Sequence, residues 1–349
     1  MRYKFYKNNE DAWMAMFDAI KNSKTSIYWE SYILKNDTSP YLNFFGIIKE
    51  KAKEGVKIRI VLDGFATLWF ENIENSLLIE LRMLGVEVLF FNSWFHRIHR
   101  KILIIDEEKA FLGGVNVAHS YRSWLDLHIL IEGKKIVKTL LSSFARSYFY
   151  SGGKNPYLLS LRQNSQFRKT ELWLLDHFPN VGRLLLKRYY VEKIALAEKK
   201  IIMVTPFFTP KPWLVKALKQ ALLRGVDVQI ILPQKTESII TDFSNHIFTS
   251  ALYDLGMKVY MTKEMIHAKA LLVDDKVGLV GSNNLDTQSF DFNIEASLSF
   301  ERKDMIKDLG LILEDWKKDS VPFDDNKYSS GWYYRPLELI VGKLAEIFF

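Results

Sequence analysis

The chain has 349 residues, of which 48% are hydrophobic and 26% are charged, and it contains no cysteine. This composition favours a folded protein with a substantial core, and it excludes a disulfide framework and thiolate metal sites. The formal net charge of +7 favours an anionic partner such as a phosphate group, nucleic acid or an acidic membrane surface. We expect neither a signal peptide nor a membrane span, because no run reaches the roughly 18 to 20 apolar residues that a span needs.

The first half of the chain begins with a strand–helix–strand unit. Residues 23–34 are typical of a strand, residues 41–54 carry apolar side chains at helical spacing, and residues 57–62 alternate with the period of a strand. Gly55 follows the predicted helix at the position where a glycine often ends one. Strand–helix–strand order predicts an α/β sheet covered by helices.

The second half repeats this unit. A strand in residues 199–210, a helix over 212–224 and a strand up to residue 232 follow in the same order, with Gly225 in the place of Gly55. Further on, Leu255-Gly-Met-Lys-Val matches Leu84-Gly-Val-Glu-Val at nearly the same offset. The repeat predicts two lobes related by a pseudo-twofold axis.

These landmarks divide the chain into four parts. We predict a first lobe over residues 1–135, a connecting segment over 136–180, a second lobe over 181–305 and a helical tail over 306–349. Each lobe is expected to be an α/β/α sandwich built on a mixed sheet. Residues 332–349 place apolar side chains on one helical face, which fits either a helix at a membrane interface or a helix that closes the second core.

Each half also contains one copy of a pattern of reactive residues. The first copy has His99, Lys101 and Asp106, followed by Gly113 and Asn116. The second copy has the same spacing, with His267, Lys269, Asp274, Gly281, Ser282 and Asn284. One histidine and lysine on a strand are commonly a surface feature, but two full copies indicate a functional site.

The pattern suits chemistry on a phosphodiester. Residues two apart on a strand share a face, so each histidine should lie beside its lysine. The lysines can neutralise the phosphate as the transition state forms. One neutral imidazole can attack phosphorus, and the other, protonated, can give its proton to the leaving oxygen. This chemistry requires both histidines at one phosphorus atom.

Further polar residues complete the predicted site. Asn116 and Asn284 can donate amide hydrogens to phosphate oxygens. Asp126 and Glu295 follow His99 and His267 at nearly equal distances along the chain. We expect each carboxylate to fix the imidazole of its own copy.

The two copies resemble the paired HKD motifs of the phospholipase D superfamily. Within it, Ile27-Tyr-Trp-Glu-Ser-Tyr-Ile33, Thr205-Pro-Phe-Phe-Thr-Pro210 and Gly281-Ser-Asn-Asn-Leu-Asp286 are similar to segments of bacterial cardiolipin synthases. The likeness covers about residues 5–305. It implies a two-lobed phospholipase D-like fold, a phosphatidyl-histidine intermediate, and no required metal or other cofactor.

The resemblance also implies roles for the motif residues. His99 is expected as the nucleophile and His267 as the general acid, although the near-symmetry leaves their order open. Asp106 and Asp274 complete the catalytic motifs as structural supports. Gly114 stands where many family members carry serine, so the first half lacks one hydroxyl. The phosphate is expected to contact Lys101, Lys269, Asn116, Asn284 and Ser282.

The function implied is phosphatidyl transfer that makes cardiolipin from phosphatidylglycerol and a second phospholipid. A phospholipase D hydrolase that releases phosphatidic acid, a metal-independent nuclease and a non-catalytic binding protein are the alternatives. We expect an anionic phospholipid substrate and peripheral attachment to the cytoplasmic face of the cell membrane. Nucleic acid is a less favoured partner because the chain has no arginine-rich arm. The oligomeric state stays open.

Five other residues carry minor expectations. Trp94, Phe95 and Trp124 are predicted mainly as core residues, with an apolar lip for acyl chains as the alternative. Arg100 is predicted as a solvated charge, and His128 as a packed or sheet-edge histidine.

Overall fold

The computed structural model describes residues 1–70, 73–162 and 171–324. In chain order, the strands and helices are β1 (Arg2–Asn8), α1 (Asn9–Lys21), β2 (Ser26–Ser31), α2 (Phe44–Lys53), β3 (Lys57–Asp63), α3 (Gly64–Phe70), α4 (Asn75–Met83), β4 (Glu87–Phe91), β5 (Arg97–Ile98), β6 (Ile102–Ile105), β7 (Lys109–Gly113), β8 (Leu125–Glu132), α5 (Lys134–Tyr150), α6 (Pro156–Leu161), β9 (Leu172–His177), α7 (Leu185–Ala195), β10 (Lys200–Val204), β11 (Phe208–Thr209), α8 (Pro212–Leu223), β12 (Asp227–Pro233), α9 (Ile239–Tyr253), β13 (Lys258–Thr262), β14 (Ala270–Val273), β15 (Val277–Gly281), β16 (Leu285–Asp286), β17 (Asn293–Phe300), α10 (Lys303–Lys318) and β18 (Ser320–Pro322).

Two large sheets share one strand order. The first sheet runs β1-β8-β7-β6-β2-β3-β4, and the second runs β9-β17-β15-β14-β10-β12-β13, with β18 beyond β13 and β5 beside β17. The neighbours β2, β3 and β4 are parallel, as are β10, β12 and β13. The strands from β6 to β8 and from β14 to β17 pair antiparallel. The predicted α/β class with two mixed sheets is confirmed.

The two sheets face each other across a common core. Ile104 and Leu127 of the first sheet belong to one buried cluster with Leu272 and Leu298 of the second and with Phe144 of α5. A second cluster packs α1 and α2 on the outer face of the first sheet. A third packs α7, α8 and α9 on the outer face of the second sheet. Apolar residues on both faces of the central strands explain their nearly continuous hydrophobic runs.

The predicted helix–glycine–strand units form at nearly the predicted positions. Gly55 and Gly225 follow α2 and α8 with φ angles of 88° and 80°, in the left-handed region that glycine tolerates best. Helix α2 begins at residue 44 and not at 41, because the side chain of Asn43 accepts a hydrogen bond from the backbone N–H of Gly46. That bond satisfies one free N–H at the start of the helix.

The predicted connecting segment and tail contain regular structure. The segment over residues 136–180 includes most of α5 and all of β9, which lies beside β17 as β1 lies beside β8. The tail begins with α10, whereas residues 332–349 lie outside the described residues. In the three described ranges, no helix has the length and apolar character needed to cross a bilayer.

A buried ionic cluster ties the first motif to the second sheet. The side chain of Arg100 is fully buried and donates to Glu30 at 2.9 Å and to Asp176 on β9 at 3.0 Å. Asp176 also accepts hydrogen bonds from Arg146 and Ser143 of α5. The prediction of a solvated Arg100 is wrong, because neighbouring side chains of an extended segment point to opposite sides. Arg100 therefore lies in the core while its neighbours in the motif line a cavity.

Replacing Arg100 with methionine should destabilise the fold strongly. Glu30 would lose its only described cationic partner, and an unpaired buried charge costs about 3–5 kcal/mol. Denaturant unfolding would measure this change. Lys276→Ala is the control, because its ion pair with Glu198 is exposed and should contribute at most about 1 kcal/mol. Equal unfolding midpoints for Arg100→Met and wild type would contradict a stabilising role for the cluster.

Candidate active site

Both motifs contribute to a single cavity of about 420 Å³. Its lining includes His99 and Asn116 from the first half and His267 and Asn284 from the second. The other lining residues are Tyr32, Ile33, Phe65, Arg97, Tyr121, Trp124, Phe207, Glu237, Asp286, Gln288 and Asn293. The structure thus brings together the two predicted histidines and the two predicted asparagines.

Backbone contacts between the halves position the histidines. Strand β5 leaves the first sheet and pairs in parallel with the start of β17. The N–H of His99 then donates to the carbonyl of Ile294 at 3.0 Å. On the other side of the pseudo-twofold axis, the N–H of His267 donates to the carbonyl of Leu125 at 2.6 Å. Each histidine is therefore held by the backbone of the opposite half.

The carboxylates that hold the imidazoles are exchanged between the halves. Nδ1 of His99 lies 3.0 Å from Glu295 Oε1, and Nδ1 of His267 lies 2.8 Å from Asp126 Oδ2. Both predicted carboxylates contact an imidazole, but the expected pairing within each copy is wrong. The strands that carry Asp126 and Glu295 run towards the opposite motif. With Nδ1–H bonded to a carboxylate, the other ring nitrogen, Nε2, carries the lone pair.

Burial keeps both imidazoles neutral near pH 7. It lowers the pKa of His267 to about 3, and the ammonium of Lys269 acts in the same direction. Burial and the charge of Lys101 also lower the pKa of His99. The carboxylates of Asp126 and Glu295 oppose these shifts without reversing them. Each ring is therefore an oriented neutral base.

The two motif lysines are buried beside their histidines. Burial lowers the pKa of Lys101 to about 8 and that of Lys269 to about 7. Each ammonium donates to the backbone carbonyl of its histidine, and Nζ of Lys269 also lies 2.8 Å from Nε2 of His267. An anion in the cavity would stabilise both ammonium groups, since it would replace part of their lost hydration.

Asn116 and Asn284 present polar atoms that no described residue satisfies. The Oδ1 atom of each is buried and has no hydrogen-bond partner among the described residues. Both side chains line the cavity at equivalent positions of the two motifs. Because buried polar groups normally have partners, these two amides are suited to a polar ligand.

Ser282 and Gly114, at equivalent motif positions, lie behind the cavity. The hydroxyl of Ser282 is buried, donates to Glu295 and accepts from the N–H of Ala296, so it contacts a carboxylate partner and not the cavity. The expected phosphate contact of Ser282 is therefore not supported. A Cβ at Gly114 would lie 2.1 Å from Asp126 Oδ1. Glycine is thus required where the shorter carboxylate approaches the backbone.

The third motif residues, Asp106 and Asp274, lie away from the cavity. Asp106 accepts hydrogen bonds from the N–H groups of residues 24–26, at the start of β2. Asp274 accepts from the N–H groups of residues 198–200, at the start of β10. Both have left-handed φ angles, of 53° and 54°, at the turn after the motif strand. This geometry is that of the structural supports that the resemblance implies.

Several aromatic and titratable residues differ from the sequence expectations. Trp94 and Phe95 are 92% and 75% exposed, so their prediction as core residues is wrong. Trp124 is partly buried and lines the cavity, with its ring 5.6 Å from that of His267. His128 is a packed histidine, and burial lowers its pKa to about 4.

Sequence reasoning missed two residues of the cavity. The ring of Tyr32 lies 5.0 Å from that of His99. Asp286 also lines the cavity, and burial raises its pKa to about 6. Both lie in the segments that carry the family resemblance, and this was the only signal in the sequence that marked them.

Comparison with known proteins identifies the family. A family model described as the cardiolipin synthase, PLD-like domain matches residues 16–148 and 190–316, which include both motifs. The chain belongs to this family. It is 29% identical to cardiolipin synthase 1 of Bacillus anthracis and 30% identical to cardiolipin synthase 2 of the same organism, over 93% and 89% of this chain. It spans 68% and 63% of the length of these two relatives.

Solved structures show the same fold at low sequence identity. The phosphatidylserine synthase of Haemophilus influenzae matches with a TM-score of 0.77 at 14% identity, over 99% of this chain and 93% of its own. The polyphosphate kinase of Porphyromonas gingivalis matches with a TM-score of 0.62 at 12% identity, over 98% of this chain and 53% of its own. The likeness confirms the phospholipase D-like fold.

Proposed function

We propose that this protein is a phosphatidyltransferase that makes cardiolipin from phosphatidylglycerol and a second phospholipid. The observation that carries the proposal is one cavity that holds two oriented neutral imidazoles, each beside a buried ammonium group. Family membership supplies the substrate class. An anionic phosphodiester matches this site because the two lysines and the two asparagine amides can hold its oxygens.

In the first half-reaction, Nε2 of His99 attacks the phosphorus of phosphatidylglycerol. A bond forms between nitrogen and phosphorus, the bond from phosphorus to the head-group oxygen breaks, and glycerol leaves. His267 supplies the proton that the departing oxygen needs. The contact between Lys269 and Nε2 of His267 supports this order, because an ammonium with a pKa of about 7 can recharge that nitrogen with a proton. The product on the enzyme is phosphatidyl-His99.

In the second half-reaction, the two histidines exchange tasks. Nε2 of His267 takes a proton from a hydroxyl of the second phospholipid, and that oxygen attacks the phosphorus. The bond from phosphorus to His99 breaks, cardiolipin leaves and both imidazoles return to their starting state. If water enters in place of the lipid hydroxyl, the same steps give phosphatidic acid.

The substrates place this reaction at a membrane. We propose that the protein attaches peripherally to the cytoplasmic face of the cell membrane. The net charge of +7 supports binding to an anionic lipid surface.

Product analysis tests the proposed activity. Pure protein incubated with phosphatidylglycerol vesicles should give cardiolipin and glycerol, measured by mass analysis of the lipids. His267→Ala should lower the rate by about 10²–10⁴-fold, since it removes the general acid and base. His119→Ala, at an exposed histidine outside the cavity, is the control and should keep full activity. Phosphatidic acid alone would show a hydrolase, and no lipid product would contradict the proposal.

The order of the two histidines has a separate test. A p-nitrophenyl phosphodiester has a leaving group that needs no proton, so His267→Ala should still release one equivalent of p-nitrophenolate and then stop. His99→Ala should release none, because it lacks the nucleophile. Rapid-mixing absorbance measures both. A burst from His99→Ala and none from His267→Ala would reverse the order, and a burst from neither would contradict a phosphohistidine intermediate.

A further inference from the structure

We propose that six exposed apolar side chains around the mouth of the catalytic cavity insert into the lipid bilayer that supplies the substrate. This inference rests on the proposed function, since it assigns the surface that such an enzyme presents to the membrane. The six side chains, here called the insertion rim, are Leu68, Trp69, Trp94, Phe95, Ile239 and Ile240.

The rim residues are large, apolar and open to solvent. Their exposed fractions range from 58% for Ile240 to 92% for Trp94. A single exposed apolar residue is ordinary, but several on adjoining loops around a functional cavity mark an interaction surface. Two tryptophans and a phenylalanine are also the residue types that favour the boundary between lipid head groups and acyl chains.

Direct contacts join the α3 part of the rim to the cavity. Phe65 lines the cavity, and its ring centroid lies 5.5 Å from that of Trp69. Arg97 also lines the cavity, and its guanidinium lies 4.0 Å over the ring of Phe65. Leu68 and Trp69 therefore extend the cavity wall outwards along α3.

The loop that carries Trp94 and Phe95 is anchored at both sides. Arg97 donates to the carbonyl of Ser93 at 2.8 Å and to that of His96 at 2.9 Å. Nδ1 of His96 lies 2.9 Å from the carbonyl of Phe292 in the second half. These bonds fix the backbone on either side of the two aromatic residues, so their exposure is built into the fold.

The second half contributes the opposite side of the rim. Glu237 lines the cavity, and Ile239 and Ile240 begin α9 two residues later. In both halves the rim residues follow the carboxyl ends of parallel strands, namely β3 and β4 in the first and β12 in the second. The rim therefore has contributions from both halves around one opening.

A bilayer is the occupant that the surroundings favour. The histidine side chains are buried, so the phosphate must enter the cavity while long acyl chains stay in an apolar medium outside it. A rim that dips into the acyl region provides that continuity. A protein partner on the same surface would cover the cavity mouth. The net charge of +7 complements an anionic lipid surface.

Vesicle binding measures the contribution of the rim. The full chain, Trp94→Ser/Phe95→Ser and Ile239→Ser/Ile240→Ser would be sedimented with phosphatidylglycerol vesicles over a range of lipid concentrations. Each rim variant should bind at least about tenfold more weakly, because two inserted apolar side chains are lost. Met83→Ser/Leu223→Ser is the matched control, since both residues are highly exposed and neither lines the cavity. This control should bind as wild type does.

A soluble substrate separates the rim from the chemistry. On short-chain phosphatidylglycerol below its micelle concentration, the rim variants should keep wild-type turnover. Lost turnover would place the rim in the catalytic machinery and overturn the inference. Unchanged vesicle binding would also overturn it, as would a change of oligomeric state in its place. If wild type turns over neither substrate, the proposed function fails, while the binding comparison still tests the rim.

Discussion

The site depends on two histidine–carboxylate pairs that cross between the halves of the chain. Glu295 of the second half holds His99, and Asp126 of the first half holds His267. Both carboxylates are fully buried, and a buried charge is tolerated only when it is paired and hydrogen-bonded. The charge of each partner histidine and its hydrogen bond lower the carboxylate pKa against the opposing effect of burial. Neither half could form its part of the site alone.

The same crossing explains why the halves pack so closely around the cavity. Strand β5 pairs with β17, and the backbone of His267 bonds to that of Leu125, so the strands that carry the carboxylates are fixed against the motifs. Behind this layer, Arg100 joins Glu30 to Asp176 and locks the first motif to the second sheet. Imidazoles held on regular strands in this way need little reorganisation when a substrate binds, which favours catalysis.

The repeat was visible in the sequence because it depends on local spacing. Gly55 and Gly225 marked equivalent helix ends, and the two motifs marked equivalent strands. The exchange of Asp126 and Glu295 depends on contacts between residues far apart in the chain, and spacing along one copy pointed to the wrong partner. Arg100 looked like a surface charge, since alternation tells which side chains share a face but not which face is buried. The exposure of Trp94 and Phe95 was hidden for a related reason, because aromatic residues usually pack in a core.

The crossed pairing is tested most directly by nitrogen NMR of protein labelled at histidine, with the His99 and His267 signals assigned from their alanine variants. Asp126→Asn should shift the ring signals of His267 and leave those of His99 in place, while Glu295→Gln should do the reverse. Each change removes the carboxylate that holds one imidazole as its Nδ1–H tautomer. If Asp126→Asn instead perturbs His99 and leaves His267 unchanged, the halves do not exchange their carboxylates and the account of the site is wrong.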